Sequence, residues 1–524
     1  VITFTLNGVT TTVSDEHASL LDALREECKI HSLKDGCAPQ GQCGCCTVMV
    51  DGRPRVSCVT PLRRIAACSV ETLEGIDPEA GQRLAKAMLA TGASQCGFCT
   101  PGIVLRVIAN EAAGKLDTPL GIDRALAAHS CRCTGWQPIV EAIEAFIEGK
   151  EDDLAVPDEQ QSAARALLEG GIPQVANTDS VLGRFAFASD RAPEDALIAL
   201  RRADGSYAIA ESLAQARLDA GSIQGRNTTV AVVPPLALAQ GYAIAFRTAF
   251  VDQGYLEPDG AYCEPGGDPV TFSSNGGGFG AKRGSSAAAD ARSLADEHQR
   301  SVRVLWPREE LARHGAKRPP LSLGVNQDAV LLRVASTPGS NLVGLEEMLA
   351  RIHPAIELEL VEIPGPPLSM AIRGAVEVEL LAALALRDHK SGPVEVISPE
   401  GARASVEVSD AAVQVRVDAG RPLCSITLRS YVIGAVHQAL GLARHEGIAV
   451  DASGAVLDLS LRSLGQLSAA QMPQVDVEII DSDTEALPVS IAVMAATFAS
   501  AWLADGRPSD LPSGRSEQEA KHHG

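Results

Sequence analysis

The sequence predicts an α+β protein: a small β-grasp domain, then a four-helix domain, then a larger mixed α/β region. Three observations predict it. Alternating apolar residues with two tight turns frame a short helix in residues 1–75, four stretches with helical apolar spacing fill residues 76–150, and beyond about residue 179 short apolar strands mix with alanine-rich helices.

The elements follow in order. Ile2, Phe4 and Leu6 alternate with polar residues, Asn7-Gly8 supplies a turn and VTTTV completes a hairpin. SLLDALREEC, from Ser19 to Cys28, opens on a capping serine and sets Leu20, Leu21 and Leu24 on one helical face. TVMVDGRPRVSC forms a second hairpin through Asp51-Gly52, ending the β-grasp unit near residue 75. QRLAKAMLA, PGIVLRVIANEAA, GIDRALAAH and WQPIVEAIEAFIEG are the four helices of residues 76–150. Residues 151–178 are acidic, polar and proline-bearing, the composition of a linker. Within residues 179–511, TVAVV, SVRVLW, AVLLRVA, ELELVEI and VDVEII read as strands, and AAADARSLADEH and VELLAALALR as helices. Residues 512–524 read as a disordered tail.

Composition limits the function. The 524 residues are 45% hydrophobic, enough for several cores, and the net charge is -21. That charge argues against nucleic acid or an anionic membrane as the main partner. No apolar run is long enough to span a bilayer and the first residues read as strands rather than a signal peptide, so the cytoplasm is the expected compartment. Thiols stay reduced there, and the thirteen cysteines are therefore read as metal ligands or buried thiols.

Eleven of the thirteen cysteines lie between Cys28 and Cys133. Cys37, Cys43, Cys46 and Cys58 give C-x5-C-x2-C-x11-C on a glycine-containing loop whose backbone N–H groups can turn toward sulfur, and four thiolates suit two tetrahedral irons. Cys96 and Cys99 in CGFCTPG, with Cys131 and Cys133 in CRCTGW, sit beside two helix starts, where the dipole favours an anionic cluster. A structural zinc site fits the second spacing too, and would make the chain a zinc-binding assembly or regulatory protein. Cys28, Cys45 and Cys68 read as buried small hydrophobes, with Cys45 placed to substitute for a neighbouring ligand.

With SQCGFCTPGIVL and CRCTGWQPIVEAI following a cysteine-rich β-grasp loop, residues 1–150 resemble the iron–sulfur component of the molybdenum hydroxylases, the xanthine dehydrogenase and aldehyde oxidase family. The resemblance implies a ferredoxin-like [2Fe–2S] domain and a helical [2Fe–2S] domain: one cluster on Cys37, Cys43, Cys46 and Cys58, the other on Cys96, Cys99, Cys131 and Cys133. It also implies that Gln95 lies near the pterin of the molybdenum cofactor and that electrons pass from the helical-domain cluster to the β-grasp cluster and on to FAD. The interval between the first two cysteines holds five residues where the family has four.

Further on, SVLGRFAFASD, DQGYLEPDGAY, SSNGGGFGAKR, RSVRVLWPREEL, YVIGAVHQALGLARHEGIAVDASG and MPQVDVEIIDSD resemble pieces of the family's molybdenum-binding subunit, in order but over roughly half its usual length. In that family the loop corresponding to Gly276, Gly277, Gly278, Phe279 and Gly280 approaches the molybdenum cofactor. Read without the family, Gly276 to Ala281 between VTFSSN and VRVLW would suggest a dinucleotide fold with Glu309 or Glu310 on a ribose, a weak signal beside an ordinary tight turn. No counterpart of the family's Gly-Gln-Gly pterin segment is present. Arg373-Gly374 retains two residues of an arginine-glycine motif, and Glu485 is the sole glutamate where the family carries its catalytic base within Gly-Val-Gly-Glu.

The resulting expectation is an electron-transfer subunit with no catalytic residue of its own. Molybdopterin would sit on an intact catalytic subunit and FAD on a further subunit, and residues 179–511 would be a trimmed module pairing with the catalytic chain. The alternative is that this chain itself binds molybdopterin and is the catalytic hydroxylase.

Overall fold

Both predicted hairpins form around residues with positive φ, Asn7 and Gly8 at 50° and 82° and Asp51 and Gly52 at 49° and 70°, the backbone that a two-residue hairpin loop demands. A computed structural model describes residues 1–221, 231–409 and 411–515. Ile2–Leu6 pairs with Val9–Val13, and Thr47–Val50 with Arg53–Val56; Ser69–Glu71 joins the two hairpins into one five-stranded sheet. Ser19 Oγ accepts from Asp22 N at 3.2 Å to start the short helix that buries Leu20, Leu21 and Leu24, and the helix widens into a π turn over Ala23–Glu27.

The four helices are Pro78–Thr91, Thr100–Ala112, Pro119–Leu126 and Gln137–Ile147. Each has a proline in its first two positions, where a missing N–H costs nothing. The cysteine loops lie at the starts of the second and fourth, with Cys99 and Trp136 as their respective N-caps.

Three more sheets build the second half. One runs Val270–Thr271, Gly260–Cys263, Val302–Leu305, Leu197–Arg201, Tyr207–Ala210; a second runs Ile356–Glu362, Val330–Ser336, Leu321–Val325, Ile244–Thr248, Asp510–Leu511; a third runs Val394–Ile397, Arg403–Val408, Ala412–Asp418, Gln474–Ile480. The buried helices Ser425–Arg444 and Ser490–Ala504 pack on each other and fill the core behind the third sheet.

Three segments differ from their sequence patterns. Residues 151–178 contain a helix, Glu159–Gly170, that buries Arg165 and Glu169; the Glu169 carboxylate accepts from Val489 N at 3.1 Å, Ser490 N at 3.0 Å and Ser490 Oγ at 2.6 Å. The polar character that reads as a linker is in fact the cap of a distant helix. Of TVAVV, Thr229 and Val230 lie outside the described residues and Ala231–Val233 forms no strand. Of the expected tail, Ser513–Arg515 is a 3₁₀ turn, with Arg515 donating to Gly447 O and Ser463 O, while residues 516–524 lie outside the described residues.

The second half closes over the cysteine-bearing face of the first through buried polar contacts. The Arg132 guanidinium meets both oxygens of Glu446 at 2.5 and 2.6 Å, Trp136 Nε1 donates to Leu467 O at 2.9 Å, and Gln137 exchanges two hydrogen bonds with the Val475 backbone. Asp190 lies between Arg25 and Lys34, at 2.6 and 3.0 Å. Burial raises the Asp190 pKa, but the two cations outweigh it and bring the group to about 2.

Candidate iron–sulfur sites and the adjoining cavity

Cys37, Cys43, Cys46 and Cys58 are all buried. Gln40 N and Gln42 N point at Cys37 Sγ at 3.1 and 3.5 Å, the inward-turned backbone that a thiolate cluster needs. Close approach to Cys43 and Cys58 holds the Cys37 thiol well below its usual range and pushes both of those up. Cys46 faces Cys58, whereas Cys45 faces Cys43 and lies toward the second cysteine set.

In the second set Cys96 Sγ and Cys133 Sγ lie 3.4 Å apart, and Cys99 faces Cys131. Cys99 and the Thr134 hydroxyl pull Cys131 down to about 6 despite burial, while Cys99 and Cys133 are pushed up by their partners. In this second set the thiols thus approach in twos, whereas in the first Cys37 approaches both Cys43 and Cys58 and Cys58 also meets Cys46. Two irons, each taking two thiolates, match the pairing in the second set. These are two cysteine clusters consistent with two [2Fe–2S] sites.

The two sets meet at glycines. A methyl at Gly102 would stand 2.5 Å from Gly44 O, and one at Gly36 would stand 3.0 Å from Cys43 Sγ and 3.3 Å from the Phe98 ring. Across this seam Ser130 N donates to Cys43 O at 3.0 Å.

Gly276 and Gly277 have φ of 78° and 82°, and a Cβ on Gly277 would stand 3.0 Å from Cys96 Sγ and 3.5 Å from Cys133 Sγ. Only glycine allows both that backbone and that approach. Asn275 pins the loop: its amide donates to Cys96 O at 3.1 Å and Val175 O at 3.0 Å, and accepts from Val175 N at 2.8 Å. The loop opens into a cavity of about 370 Å³ whose walls include Gln174, Asp259, Lys282, Arg283, Arg373 and Tyr431. Gly278, Phe279 and Gly280 line it as well, with the Arg373 guanidinium 4.7 Å above the Phe279 ring. Burial lowers the Arg373 pKa and raises that of Asp259, the one carboxylate among the lining residues.

Other candidates fall elsewhere. Gln95 donates to Cys133 O at 3.1 Å and Ser430 Oγ at 2.9 Å, joining the cluster loop to the Ser425–Arg444 helix rather than facing the cavity. Glu485 is exposed on the turn before Ser490–Ala504. The dinucleotide reading fails on topology: Val270–Thr271 is a two-residue edge strand paired antiparallel, Glu309 accepts from Gln40 Nε2 at 2.9 Å, and Glu310 pairs with Arg313. Gln174 and Tyr431 carry no local pattern, one lying in the apparent linker and the other inside a long apolar helix.

The fold and these sites define an iron–sulfur oxidoreductase. Residues 72–144 match the family model described as a [2Fe-2S] binding domain. The isoquinoline 1-oxidoreductase subunit alpha of Brevundimonas diminuta is 38% identical over 144 residues, 27% of this chain and 94% of that protein. The aldehyde oxidoreductase of Megalodesulfovibrio gigas is 31% identical over 244 residues, 44% of this chain and 25% of that protein; the xanthine dehydrogenase of Drosophila subobscura is 37% identical over 164 residues, 28% of this chain and 12% of its own length. The chain thus spans about a quarter or less of these two longer relatives. It belongs to the molybdenum hydroxylase family of xanthine oxidases and aldehyde oxidoreductases. Among solved structures, the aldehyde oxidoreductases from Desulfovibrio gigas and Desulfovibrio desulfuricans superpose with TM-scores of 0.71 and 0.69 at 14% and 15% identity, each covering 99% of both chains.

This last finding overturns the expectation of an electron-transfer subunit whose molybdopterin and FAD sit on partner subunits. The fold of one solved chain accounts for both halves together. The physical reason lies in the seam: the face of the second cysteine set that a partner's cofactor would have to reach is covered by this chain's own Asn275–Gly277 loop and Ser425–Arg444 helix. Among the described residues, no helix is long and apolar enough to cross a membrane.

Proposed function

We propose that this chain is itself a molybdenum-dependent oxidoreductase, with two [2Fe–2S] clusters and a molybdopterin-binding face on one polypeptide. The observation that carries the reading is the glycine loop at Gly276–Gly278, held against Cys96 and Cys133 on one side and lining a polar, cationic cavity on the other. The donor set fits an anionic, phosphate-bearing heterocycle: Arg283 and Arg373 supply positive charge, Lys282 is already paired with Glu257 at 3.1 Å, Tyr431 donates to Gln174 at 2.8 Å and so orients both side chains on the wall, and the glycines expose backbone. Bound there, molybdopterin would supply a two-electron oxidation of an aldehyde or nitrogen heterocycle with oxygen from water. Asp259 is the residue on that wall able to accept a proton, and its upward shift is the direction a general base near neutral pH requires.

Ligand cysteines of both sets are joined across one hydrogen bond, from Ser130 N, next to Cys131, to Cys43 O. That bond provides a short route for charge between clusters. The test uses the full chain expressed with molybdate and purified alone. About four irons and four sulfides are expected from two clusters, together with retained molybdenum and bleaching of the clusters on adding benzaldehyde. Four irons without molybdenum or bleaching would refute the catalytic reading, and zinc in place of iron would refute the electron-transfer reading as well.

A further inference from the structure

We propose that the surface around Val59, beside the first cysteine set, docks a small acidic protein bearing a one-electron acceptor. The inference rests on the iron–sulfur reading above and extends it to where the electron leaves. Val59 follows the ligand candidate Cys58 and is 42% exposed, an apolar side chain facing water one residue from a buried thiol. Its methyl groups lie over Gly41, where a Cβ would stand 2.9 Å from Val59 Cγ2, so this residue covers the cysteine loop itself.

The charge around it runs against that of the whole chain. From Arg53 to Cys68 there are four arginines and no acidic residue, in a protein of net charge -21. Arg53, Arg55, Arg63 and Arg64 are all exposed, and none forms an ion pair among the described residues. Asp51, the nearest acid in sequence, has its carboxylate turned onto Ser69 N at 2.8 Å. On the other side of the loop Arg462, also exposed, is held by its backbone N on Gln42 Oε1 at 2.9 Å and by its guanidinium on Ala127 O at 3.0 Å. An exposed apolar residue flanked in sequence on both sides by exposed guanidinium groups without ion pairs, beside a redox ligand candidate, is suited to brief encounters with an acidic surface, in which charge sets the association rate and the contact area stays small. A protein carrier fits better than an anionic membrane because the positive charge is confined to the short segment Arg53–Arg64 about Cys58, in a chain whose net charge is -21. The step is a single electron passing from the reduced cluster to the oxidised carrier, with no bond made or broken.

The full chain, reduced with dithionite and desalted, is mixed in stopped flow with ferric cytochrome b5, an acidic haem protein, and separately with ferric cytochrome c, a basic one. Oxidation by the acidic carrier should slow about tenfold between 20 and 300 mM salt. Arg55→Glu with Arg63→Glu should slow it about tenfold or more at low salt, speed the reaction with the basic carrier and leave the cluster absorption unchanged. Arg55→Gln with Arg63→Gln should fall between. Rates indifferent to salt and to these changes would overturn the proposal, as would capture of the chain by phosphatidylserine vesicles with carrier kinetics unaltered. A chain without iron would refute the functional reading itself, whereas full iron with charge-blind kinetics would refute only the docking surface.

Discussion

Replacing Glu446 by glutamine should loosen the second cysteine set without touching a cysteine. Arg132 sits between Cys131 and Cys133, and its guanidinium and the Glu446 carboxylate are 2% and 0% exposed. Burial raises the Glu446 pKa and Arg132 offsets that only in part, the desolvation cost a buried pair carries. Glutamine keeps the size and one acceptor but leaves Arg132 as a buried cation without a counter-charge, a loss of about 3–5 kcal/mol when one partner of such a pair is removed. With a slope of about 2 kcal/mol per molar urea, the midpoint for losing the set should fall by about 1.5–2.5 M. Visible circular dichroism of the iron-loaded chain against urea reads it. Arg132→Met combined with Glu446→Leu, which removes both charges, should recover most of the loss. A single variant within about 0.5 M of the parent, or a double variant as labile as the single, would show that the ion pair does not hold this loop.

Asp190→Asn should cost about 2 kcal/mol at pH 7, the worth of a carboxyl brought from 3.8 to about 2 in the folded state. Because the folded value is the lower one, this stability is complete above about pH 3.8 and disappears as pH falls through about 2, so parent and variant urea midpoints should converge in acid. Gly434→Ala should separate the Ser425–Arg444 helix from the cysteine loop, since the new Cβ would collide with Cys133 O; reduced-state electron paramagnetic resonance should lose one signal and keep the other. Cys45→Ala should retain about four irons per chain, whereas Cys46→Ala should lose about two, because Cys46 faces Cys58 and Cys45 does not.

Both hairpins and the four helices are legible in the sequence because each is local: turn glycines, capping residues and apolar spacing act within a few residues. The approach of Cys96 to Cys133, 37 residues apart, is not local, and its reading rests on motif spacing and the family resemblance. The cavity is not legible. Gln174, the Gly276–Gly280 loop, Arg373 and Tyr431 come from four distant segments, and Gln174 lies where composition suggests only a connector. The acidic and polar character of residues 151–178 has two opposite meanings, a solvated linker or a buried cap, and only the contact of Glu169 with Val489 and Ser490 decides between them. The same limit explains the misplaced partner subunits: the second half is recognisable piecemeal, but that its own loop fills the face of the second cysteine set depends on contacts hundreds of residues apart, such as Asn275 with Cys96 and Arg132 with Glu446.

The reach of that last contact has a bearing on biosynthesis. Arg132 leaves the ribosome 314 residues ahead of Glu446, a gap of about 15–60 s at ordinary bacterial-to-eukaryotic elongation speeds of about 5–20 residues per second. Throughout that interval the CRCTGW thiols lack their lid, and iron delivery has its easiest opening before translation finishes rather than after.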